Sequence, residues 1–391
     1  VLRLEFEARA AGLVREKHQF ANRWVGVFFK DAKGARLAFP LTEVHSETWQ
    51  RGFLHVAAPK GTAYGEAGFF CSLTGRFEVR RLTLSRIAPE DSFDVLVQDM
   101  DRYYPFFEQH GIDWQALVST HRKQAVAATT PVAFVQAITP LLAPLQDGHI
   151  WIDAPRQRRQ VPHAASVKLN FELPQVMKRL ASHRQVLRNV IAGRTKEGYG
   201  YLAIGSMEGS RPQLGQLDGA WRKLFDAPGI VLDLRVNSGG QEAWGQHLLG
   251  CLTDKPVFYG TSKLRSGSGH GEFHAGGRRY VNPRKVRYKG PVIALVGPGC
   301  VSSGEGMAMM ARALPNVTLV GLPTRGSSGA PAPVALPNGV RVWYSRWISL
   351  FPDGTGFERT GIAPDVRVEH TPGGDPAFDK ALALLKASLA K

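Results

Sequence analysis

Short apolar segments alternate with helix-like segments from residue 199 onward, and this alternation limits the fold more than any other feature of the sequence. The apolar segments are GYLAIGSM, GIVLDLRV, PVIALVG and NVTLVG, and the segments between them are LGQLDGAWRKLF, QEAWGQHLLGCL and EGMAMMARAL. Continuous apolar strands separated by helices are typical of a mostly parallel sheet that helices cover. We therefore predict an α/β core over residues 199–375, with a hairpin in VRVWYSRWISLFPDGTGFE, and a C-terminal helix in residues 376–391.

The residues before this core divide into three regions. Residues 1–90 alternate apolar and polar side chains between Gly and Pro residues, which predicts a β-sandwich of the jelly-roll kind, acting as a carbohydrate-binding or spacer module. Residues 91–153 carry apolar residues at helical spacing and end at the turn QDG, after which HIWID alternates as a strand that carries His149. Residues 154–198, with QVMKRLASHRQVLRNVI at their centre, indicate a linker or a helical segment. The predicted fold class is multidomain α/β.

The formal net charge of +16 would suit a nucleic-acid partner, but the distribution of the charge does not. The densest cluster, Arg156, Arg158 and Arg159, is short, and the sequence has no zinc-finger spacing, RNA-binding aromatic signature or basic helix. We predict a basic solvated surface and no nucleic-acid partner.

Cysteine usage and hydropathy exclude further classes. The three cysteines lie far apart without CxxC spacing, which argues against a disulfide framework and a zinc site. No apolar run is long enough to span a bilayer, so we predict no transmembrane segment. Because the first residue is Val and no signal-peptide pattern is visible, we expect a mature or trimmed form.

Three loops in or beside the core carry residue types that acyl transfer uses. RVNSGG, residues 235–240, has two glycines at a strand-to-helix turn, whose exposed N–H groups suit an oxyanion hole. GPGCVSSGEGMA, residues 297–308, places serines at a helix N-terminus, and GFERTGIAPDV, residues 356–366, carries a glutamate. Each loop also has a simple structural explanation: a turn, a helix cap and a solvated glutamate.

The serine loop leaves two uses of the Ser302 hydroxyl open. Ser302-x-x-Glu305 fits a capping box, in which the serine side chain bonds the amide three residues on and the glutamate reaches back. A hydroxyl committed to a cap is poorly placed to give its proton to a base, so the cap competes with a nucleophile. We interpret the nearby Cys300 as a small residue packed in the core.

Taken in order, LLAPLQDGHIWI, LDLRVNSGG, ALVGPGCVSSGEGMA, VGLPTRGSSGAP and the segment ending in GIAPD resemble the C-terminal processing peptidases. This family of serine peptidases, also called tail-specific proteases, includes the tricorn core protease and retinoid-binding relatives. The resemblance covers residues 95–370 and implies a ClpP- and crotonase-like α/β peptidase core. The better-known branch uses a Ser–Lys dyad, but Ser327 stands where that lysine falls, and Arg325 stays charged at neutral pH. The chain therefore resembles the tricorn-like Ser–His–Glu branch.

The resemblance implies a role for each matching residue. Ser302, three residues before the helix glutamate, would be the nucleophile, His149 the general base, and Glu358 the residue that orients the imidazole. Backbone N–H groups of the glycine turn and of the residue after the nucleophile would bind the oxyanion. The other residues of the implied site are the oxyanion-hole candidates Gly239, Gly240 and Ser303 and the supporting residues Asp147, Asp233 and Asn237.

The implied function is that of a serine endopeptidase or C-terminal processing peptidase working through an acyl-enzyme without a cofactor. Its substrate would be a peptide or protein, C-terminal tails included, and its location periplasmic or extracellular. Residues 154–198 are too short for the PDZ domain that many relatives insert, so tail selection would fall to the β-sandwich or this linker. We predict no particular oligomeric state from the sequence.

The sequence also allows two alternatives to a peptidase. The first is a non-catalytic ligand- or peptide-binding protein on the same fold, since fold alone does not set function. The second is a metal site at His270 and His274 in GHGEFHAGG, which we disfavour because the segment is glycine-rich and lacks HExxH. We therefore predict no metal, and name a glycan as a candidate ligand of residues 1–90.

Overall fold

The computed structural model describes residues 1–14, 23–44, 47–163, 166–266 and 269–390. The chain divides into two compact units. The first comprises Val1–Ala164, Leu264–His274 and Pro331–Arg346, and the second comprises Ala165–Lys263, Ala275–Ala330 and Trp347–Lys391. This division does not follow the domain boundaries expected from the sequence, which stay predictions.

The elements are as follows. The strands are β1 (Leu2–Val14), β2 (Arg23–Lys30), β3 (Arg36–Ala38), β4 (Leu41–Glu43), β5 (Gln50–Val56), β6 (Tyr64–Cys71), β7 (Thr74–Arg86), β8 (Trp151–Asp153), β9 (Leu180–Leu187), β10 (Val190–Thr195), β11 (Gly200–Ile204), β12 (Ile230–Asp233), β13 (Val257–Arg265), β14 (Phe273–Ala275), β15 (Arg279–Val281), β16 (Val292–Val296), β17 (Val317–Gly321), β18 (Pro331–Ala335), β19 (Arg341–Ser345), β20 (Trp347–Leu350) and β21 (Val366–Arg367). The α-helices are α1 (Ser92–Tyr103), α2 (Trp114–Val126), α3 (Pro131–Leu142), α4 (Leu173–Met177), α5 (Arg211–Arg222), α6 (Glu242–Leu249), α7 (Ser303–Ala313) and α8 (Pro376–Leu389). Within the described ranges, every helix is too short or too polar to cross a lipid bilayer.

The first unit begins with two antiparallel sheets, one ordered β5-β1-β7 and one in which β2 pairs with β3, β4 and β6. Alternate residues of β1 and β2, among them Phe6 and Phe29, are buried in a single apolar cluster. The period-2 pattern of residues 1–90 therefore produces strands, as predicted. Helices α1, α2 and α3 follow, as the helical spacing of residues 91–153 predicts.

The second unit is built on a seven-stranded sheet ordered β21-β17-β16-β12-β11-β10-β9. Strands β11, β12, β16, β17 and β21 run parallel, and β10 and β9 add an antiparallel edge. Asp233 lies opposite Leu295, which lies opposite Val320, so these strands end at the same edge of the sheet. The loops of interest leave from this edge, where open α/β sheets place ligands.

Both faces of this sheet are covered, which explains why its strands show no alternation. Leu232 belongs to the apolar cluster that includes α5, α6 and α7, whereas its neighbour Val231 belongs to the cluster that includes α8. Full burial of each such side chain stabilises the fold by about 1.5–3 kcal/mol. The predicted mixed α/β architecture with a mostly parallel sheet is confirmed.

Two predictions of local structure are wrong. The segment expected to be helical within residues 154–198 contains the β9–β10 hairpin, and its only described helix is the short α4. Pairing of β10 with β11 fixes the extended conformation there, so tertiary contacts override the helical propensity. The predicted hairpin over VRVWYSRWISLFPDGTGFE is instead divided, because β19 pairs with β18 and β8 while β20 pairs with β13.

Candidate active site

Ser302 lies between β16 and α7, at the N-terminus of the helix, with φ of 57° and ψ of −129°. This backbone conformation is nearly confined to glycine and costs a residue with a side chain about 1–3 kcal/mol. Among the described residues, five other than glycine have positive φ, and Gln146, Ser302 and Arg359 are three of them. Each lies at or within three residues of a predicted catalytic side chain, and such strain is typical of functional sites.

Glu305 holds the serine loop to the glycine-rich loop. Its buried carboxylate accepts hydrogen bonds from the amide of Ser302 at 3.2 Å, the hydroxyl of Thr324 at 2.6 Å, and the amides of Gly326 at 2.6 Å and Ser327 at 2.9 Å. Burial raises the pKa of Glu305 to about 7, although these four hydrogen bonds oppose the shift. The sequence predicted only a helix cap here; the side chain also anchors a loop 19 to 22 residues downstream.

The capping box is present but unequal in its two halves. The Ser302 amide donates to Glu305 Oε2 at 3.2 Å. The Ser302 hydroxyl faces the backbone amide of Glu305, as in a capping box. Among the described residues of this turn, however, that contact does not meet the geometry of a hydrogen bond. The cap therefore depends mainly on the carboxylate, and the two uses of the hydroxyl compete less than the sequence indicates.

The NSGG turn packs directly against the serine. A Cβ atom at Gly239, whose φ is +91°, would lie 2.8 Å from Ser302 Cβ and 3.2 Å from its Oγ, so a larger residue has no room there. The Gly239 amide donates to Oδ1 of buried Asn237 at 2.9 Å, and Val301 donates to the Asn237 carbonyl at 2.9 Å. Asn237 therefore joins the turn to the serine loop, in keeping with a supporting position.

A buried ion network fixes the start of this turn. Arg235 is fully buried and donates to Asp233 at 2.6 Å, to Asp375 at 2.7 Å and to the carbonyl oxygen of Asn170 at 2.9 Å. Tyr201 donates its hydroxyl to Asp233 at 3.0 Å. The sequence analysis named Asp233 as a supporting residue but missed Arg235 and Asp375. Arg235 stands in the quoted motif, but Asp375, 140 residues after it, is recognisable in the sequence only as a helix cap.

Glu358 is buried and faces the same glycine-rich loop. Its Oε2 accepts a hydrogen bond from the Ser328 amide at 2.7 Å, and the next residue, Arg359, donates its amide to the Gly326 carbonyl at 2.8 Å. Within the second unit, Ser302 and Glu358 are therefore both tied to residues 324–328, through Glu305 in one case and directly in the other.

His149 belongs to the first unit and lies in a turn rather than in the predicted strand, which begins at Trp151. Its amide donates to Asp147 Oδ1 at 2.8 Å, and Ile150 closes the turn on the Asp147 carbonyl at 3.1 Å. Burial lowers the pKa of the His149 imidazole below its usual 6.5, and the Asp147 carboxylate opposes the shift. Asp147 is therefore the turn residue that the sequence predicted.

A narrow pocket of about 20 Å³ opens beside Ser302 in the second unit. Glu242 and Arg279 form an ion pair of 2.9 Å in its wall, and Trp347 and Phe357 supply aromatic surface. The remaining lining residues are Ser303, Gly306, Ser328, Gly329, Ala330 and Ser349. This pocket was not predictable from the sequence, because its walls come from segments more than 100 residues apart.

The other reactive side chains take structural positions. Cys300 is fully buried in the apolar cluster, where burial raises the pKa of its thiol well above the usual value, so it is the packed residue predicted. His270 pairs with Asp101 at 2.8 Å, and His274 lies in strand β14, so the two histidines do not share a helix face. Across the described residues, no three His, Cys, Asp or Glu side chains are grouped as a metal site would require.

Comparison with known proteins finds one family and several related folds. Residues 198–368 match the model of Peptidase family S41. Over 240 residues the chain is 27% identical to tricorn protease homolog 1 of Streptomyces coelicolor, an alignment that covers 59% of this chain and 20% of that protein. The chain thus spans a fifth of the length of this curated relative.

Two solved structures share the fold. One is a candidate peptidase from Parabacteroides merdae ATCC 43184, with a TM-score of 0.67 and 24% identity over 77% of this chain and 97% of that chain. The other is a lipoprotein from Streptococcus agalactiae, with a TM-score of 0.51 and 16% identity over 79% of this chain and 100% of that chain.

Proposed function

Residues 198–368 belong to peptidase family S41, a family of serine peptidases, and from this premise we propose that the chain hydrolyses peptide bonds with Ser302 as nucleophile. The observation that carries the proposal is the conformation of Ser302. A side chain held at a glycine-like φ, at the positive end of a helix and against a glycine turn, is a costly arrangement that a simple cap does not need.

The remaining roles rest on the resemblance to the tricorn-like branch. We assign His149 as the base that takes the serine proton and delivers it to the leaving amine, and Glu358 as the residue that orients the imidazole. The lowered pKa of His149 supports the first role, because the imidazole is then neutral and can accept a proton at pH 7. The burial of the Glu358 carboxylate supports the second.

For the oxyanion hole we propose the amides of Gly240 and Ser303. The Gly239 amide already donates to Asn237, which favours Gly240 as the donor from the turn. The Ser303 amide nitrogen would lie 3.1 Å from a Cβ at Gly239, so it borders the same narrow space as the Ser302 hydroxyl. We assign Asn237, Asp233 and Asp147 to the support of these loops.

The wider predictions stay proposals. We infer that the two N-terminal sheets with their common apolar cluster form a β-sandwich, and that the core is ClpP-like. A periplasmic or extracellular location follows from the resemblance alone. C-terminal processing is the substrate preference that the resemblance favours, and a non-catalytic binding protein is the alternative that the next experiment tests.

Labelling with a serine-reactive phosphonate probe tests the nucleophile. We expect one probe per chain on the wild-type protein and on Ser303→Ala, and none on Ser302→Ala, because only a serine beside a base and an oxyanion hole is activated. Intact mass and peptide mapping measure the result. Ser303→Ala is the matched control, since it removes the neighbouring hydroxyl and keeps the backbone amide. A folded wild-type protein that takes no label would favour the binding-protein alternative.

The pocket beside Ser302 predicts a small, uncharged residue on the acyl side of the cleaved bond. Its small volume excludes large side chains, and the Glu242–Arg279 pair leaves no net charge to attract Lys or Glu. We expect kcat/KM for alanine at this position to exceed that for phenylalanine by about 10- to 100-fold, the cost of overpacking. Peptides that differ only at this residue measure the ratio. Trp347→Ala should enlarge the pocket and so reduce the ratio of kcat/KM for alanine to kcat/KM for phenylalanine. A preference of the wild-type protein for phenylalanine would contradict the prediction.

A further inference from the structure

The first unit contains a second cavity, of about 250 Å³, that the peptidase chemistry does not use. Residues of β1, β4, β5, β13 and β14 and of the end of α1 form its walls, together with Val44, Ser266 and Arg346. It opens to solvent beside Leu41, whose surface is 40% exposed. All of its lining residues belong to the first unit.

The lining of this cavity is strongly cationic. Four arginines and His274 line it, and among the described lining residues there is no Asp or Glu. Arg51 shares the single carboxylate of Glu7 with two further arginines, and Arg346 pairs with Asp99 at 2.8 Å. Glu7 and Asp99 therefore offset part of the charge of Arg51 and Arg346.

The other two arginines, Arg102 and Arg265, have different neighbours. Arg102 lies over the rings of Phe53 and Tyr103, 5.1 and 5.4 Å from their centres. Arg265 is buried and donates to the carbonyl oxygens of Tyr104 at 3.1 Å and Gly269 at 3.0 Å, and the carboxylates of Asp101, Glu108 and Glu272 act on its charge. Aromatic rings position the Arg102 guanidinium without neutralising it, and a positioned guanidinium binds a carboxylate in bidentate fashion.

Apolar side chains also line the cavity, beside the uncharged polar residues Thr42, Gln50 and Ser266. Phe6, Leu41, Val44 and Leu264 stand among the arginines. A ligand that satisfies both halves has a carboxylate on one side and an apolar group on the other. The volume lies just below the range of pockets for drug-sized ligands, so it suits one amino-acid residue.

We propose that this cavity binds a carboxylate that bears an apolar side group. Two sources share this chemistry: a free small acid, and the C-terminal residue of a peptide. An acidic sugar has the charge but lacks the apolar group, and inorganic phosphate lacks it as well. The proposal concerns residues outside the candidate active site and does not depend on peptidase activity.

Binding of defined carboxylates to the full chain carrying Ser302→Ala tests the proposal without turnover. The probes are N-acetyl-L-leucine, by calorimetry, and a fluorescein-labelled hexapeptide ending in leucine, by anisotropy, with the C-terminal amide of the same peptide for comparison. We expect the free carboxylate to bind at least about tenfold more tightly than the amide, and more weakly at high salt. Binding of the peptide but not of N-acetyl-L-leucine would identify a peptide terminus as the source, and equal binding of both a free acid.

Substitutions locate the site. Arg102→Gln should weaken binding about tenfold or more, Arg102→Lys less, and the exposed Arg36→Gln, outside the cavity, should leave it unchanged. Leu41→Asp, which places a carboxylate at the mouth on a half-exposed position, should also weaken binding. Equal affinity for acid and amide, tighter binding of glucuronate than of N-acetyl-L-leucine, or unchanged binding in folded Arg102→Gln and Leu41→Asp would overturn the proposal.

Discussion

Replacing Ser302 with alanine should lower kcat on a peptide substrate by at least about 1000-fold while leaving KM nearly unchanged. The hydroxyl oxygen is the atom that would bond to the carbonyl carbon of the substrate. Its removal leaves only the oxyanion hole and substrate binding to accelerate the reaction. Alanine keeps the cap carboxylate and removes one oxygen, so the fold should survive. Steady-state kinetics on a fluorogenic peptide, with thermal unfolding as a control, measure the effect.

The same experiment tests the assignment of His149. His149→Ala alone should cost about as much as Ser302→Ala, and the double variant should be scarcely worse, because residues that act as a unit lose their effect together. Glu358→Gln should lose less, since it keeps the shape of the side chain. Losses that multiply in the double variant would show that the serine and the histidine act independently. Full activity in His149→Ala would eliminate it as the base.

The parallel sheet was predictable from the sequence, and this prediction is confirmed. The match of residues 198–368 to the model of Peptidase family S41 agrees with the family resemblance. Continuous apolar strands predict a sheet that is buried on both faces. Glycine turns beside such strands predict loops that can approach a ligand closely. The β9–β10 hairpin was not predictable, because its edge strand is mostly exposed and lacks a strict period. The divided strands β19 and β20 were missed because local alternation does not say which sheet a strand joins.

The candidate site shows the same limit. The roles of Ser302, Gly239 and Glu358 are predictions from short motifs taken in order, whereas the contacts between those motifs were not predictable from the sequence. The link from Glu305 to residues 324–327 depends on a chain reversal that only the fold provides. Ser327 illustrates the point: in the sequence it is where a lysine is missing, and in the fold its amide is held by the glutamate of the serine helix.

Replacing Glu305 should therefore damage both stability and catalysis. Glu305→Ala leaves four donors, three amides and one hydroxyl, without their acceptor, and we expect the free energy of unfolding to fall by about 3–5 kcal/mol. Relaxation of the serine loop should lower kcat about 100-fold even in the isosteric Glu305→Gln. Urea unfolding and peptide kinetics measure the two effects. Thr318→Ser, at a half-buried residue of β17 outside this network, is a control for mild repacking.

The pH dependence separates Glu305 from His149. The pKa of Glu305 in the folded protein is about 7, above its ordinary 4.5, so folding favours the protonated form. The contribution of this pKa shift to the free energy of unfolding is fully present below pH 4.5 and is lost as the pH rises through about 7. The total loss is roughly 3 kcal/mol. Catalysis should change in the opposite direction, because a protonated carboxyl cannot accept all four hydrogen bonds. We expect kcat/KM to rise through pH 7.

Glu305→Gln should remove both trends, since an amide does not titrate. The remaining rise in kcat/KM should then lie below pH 6.5, where burial places the pKa of His149. Urea midpoints and kcat/KM measured from pH 5 to pH 8 for the wild-type protein and Glu305→Gln test this directly. If the two proteins show the same inflection near pH 7, the titrating group is not Glu305, and the serine loop does not depend on its charge.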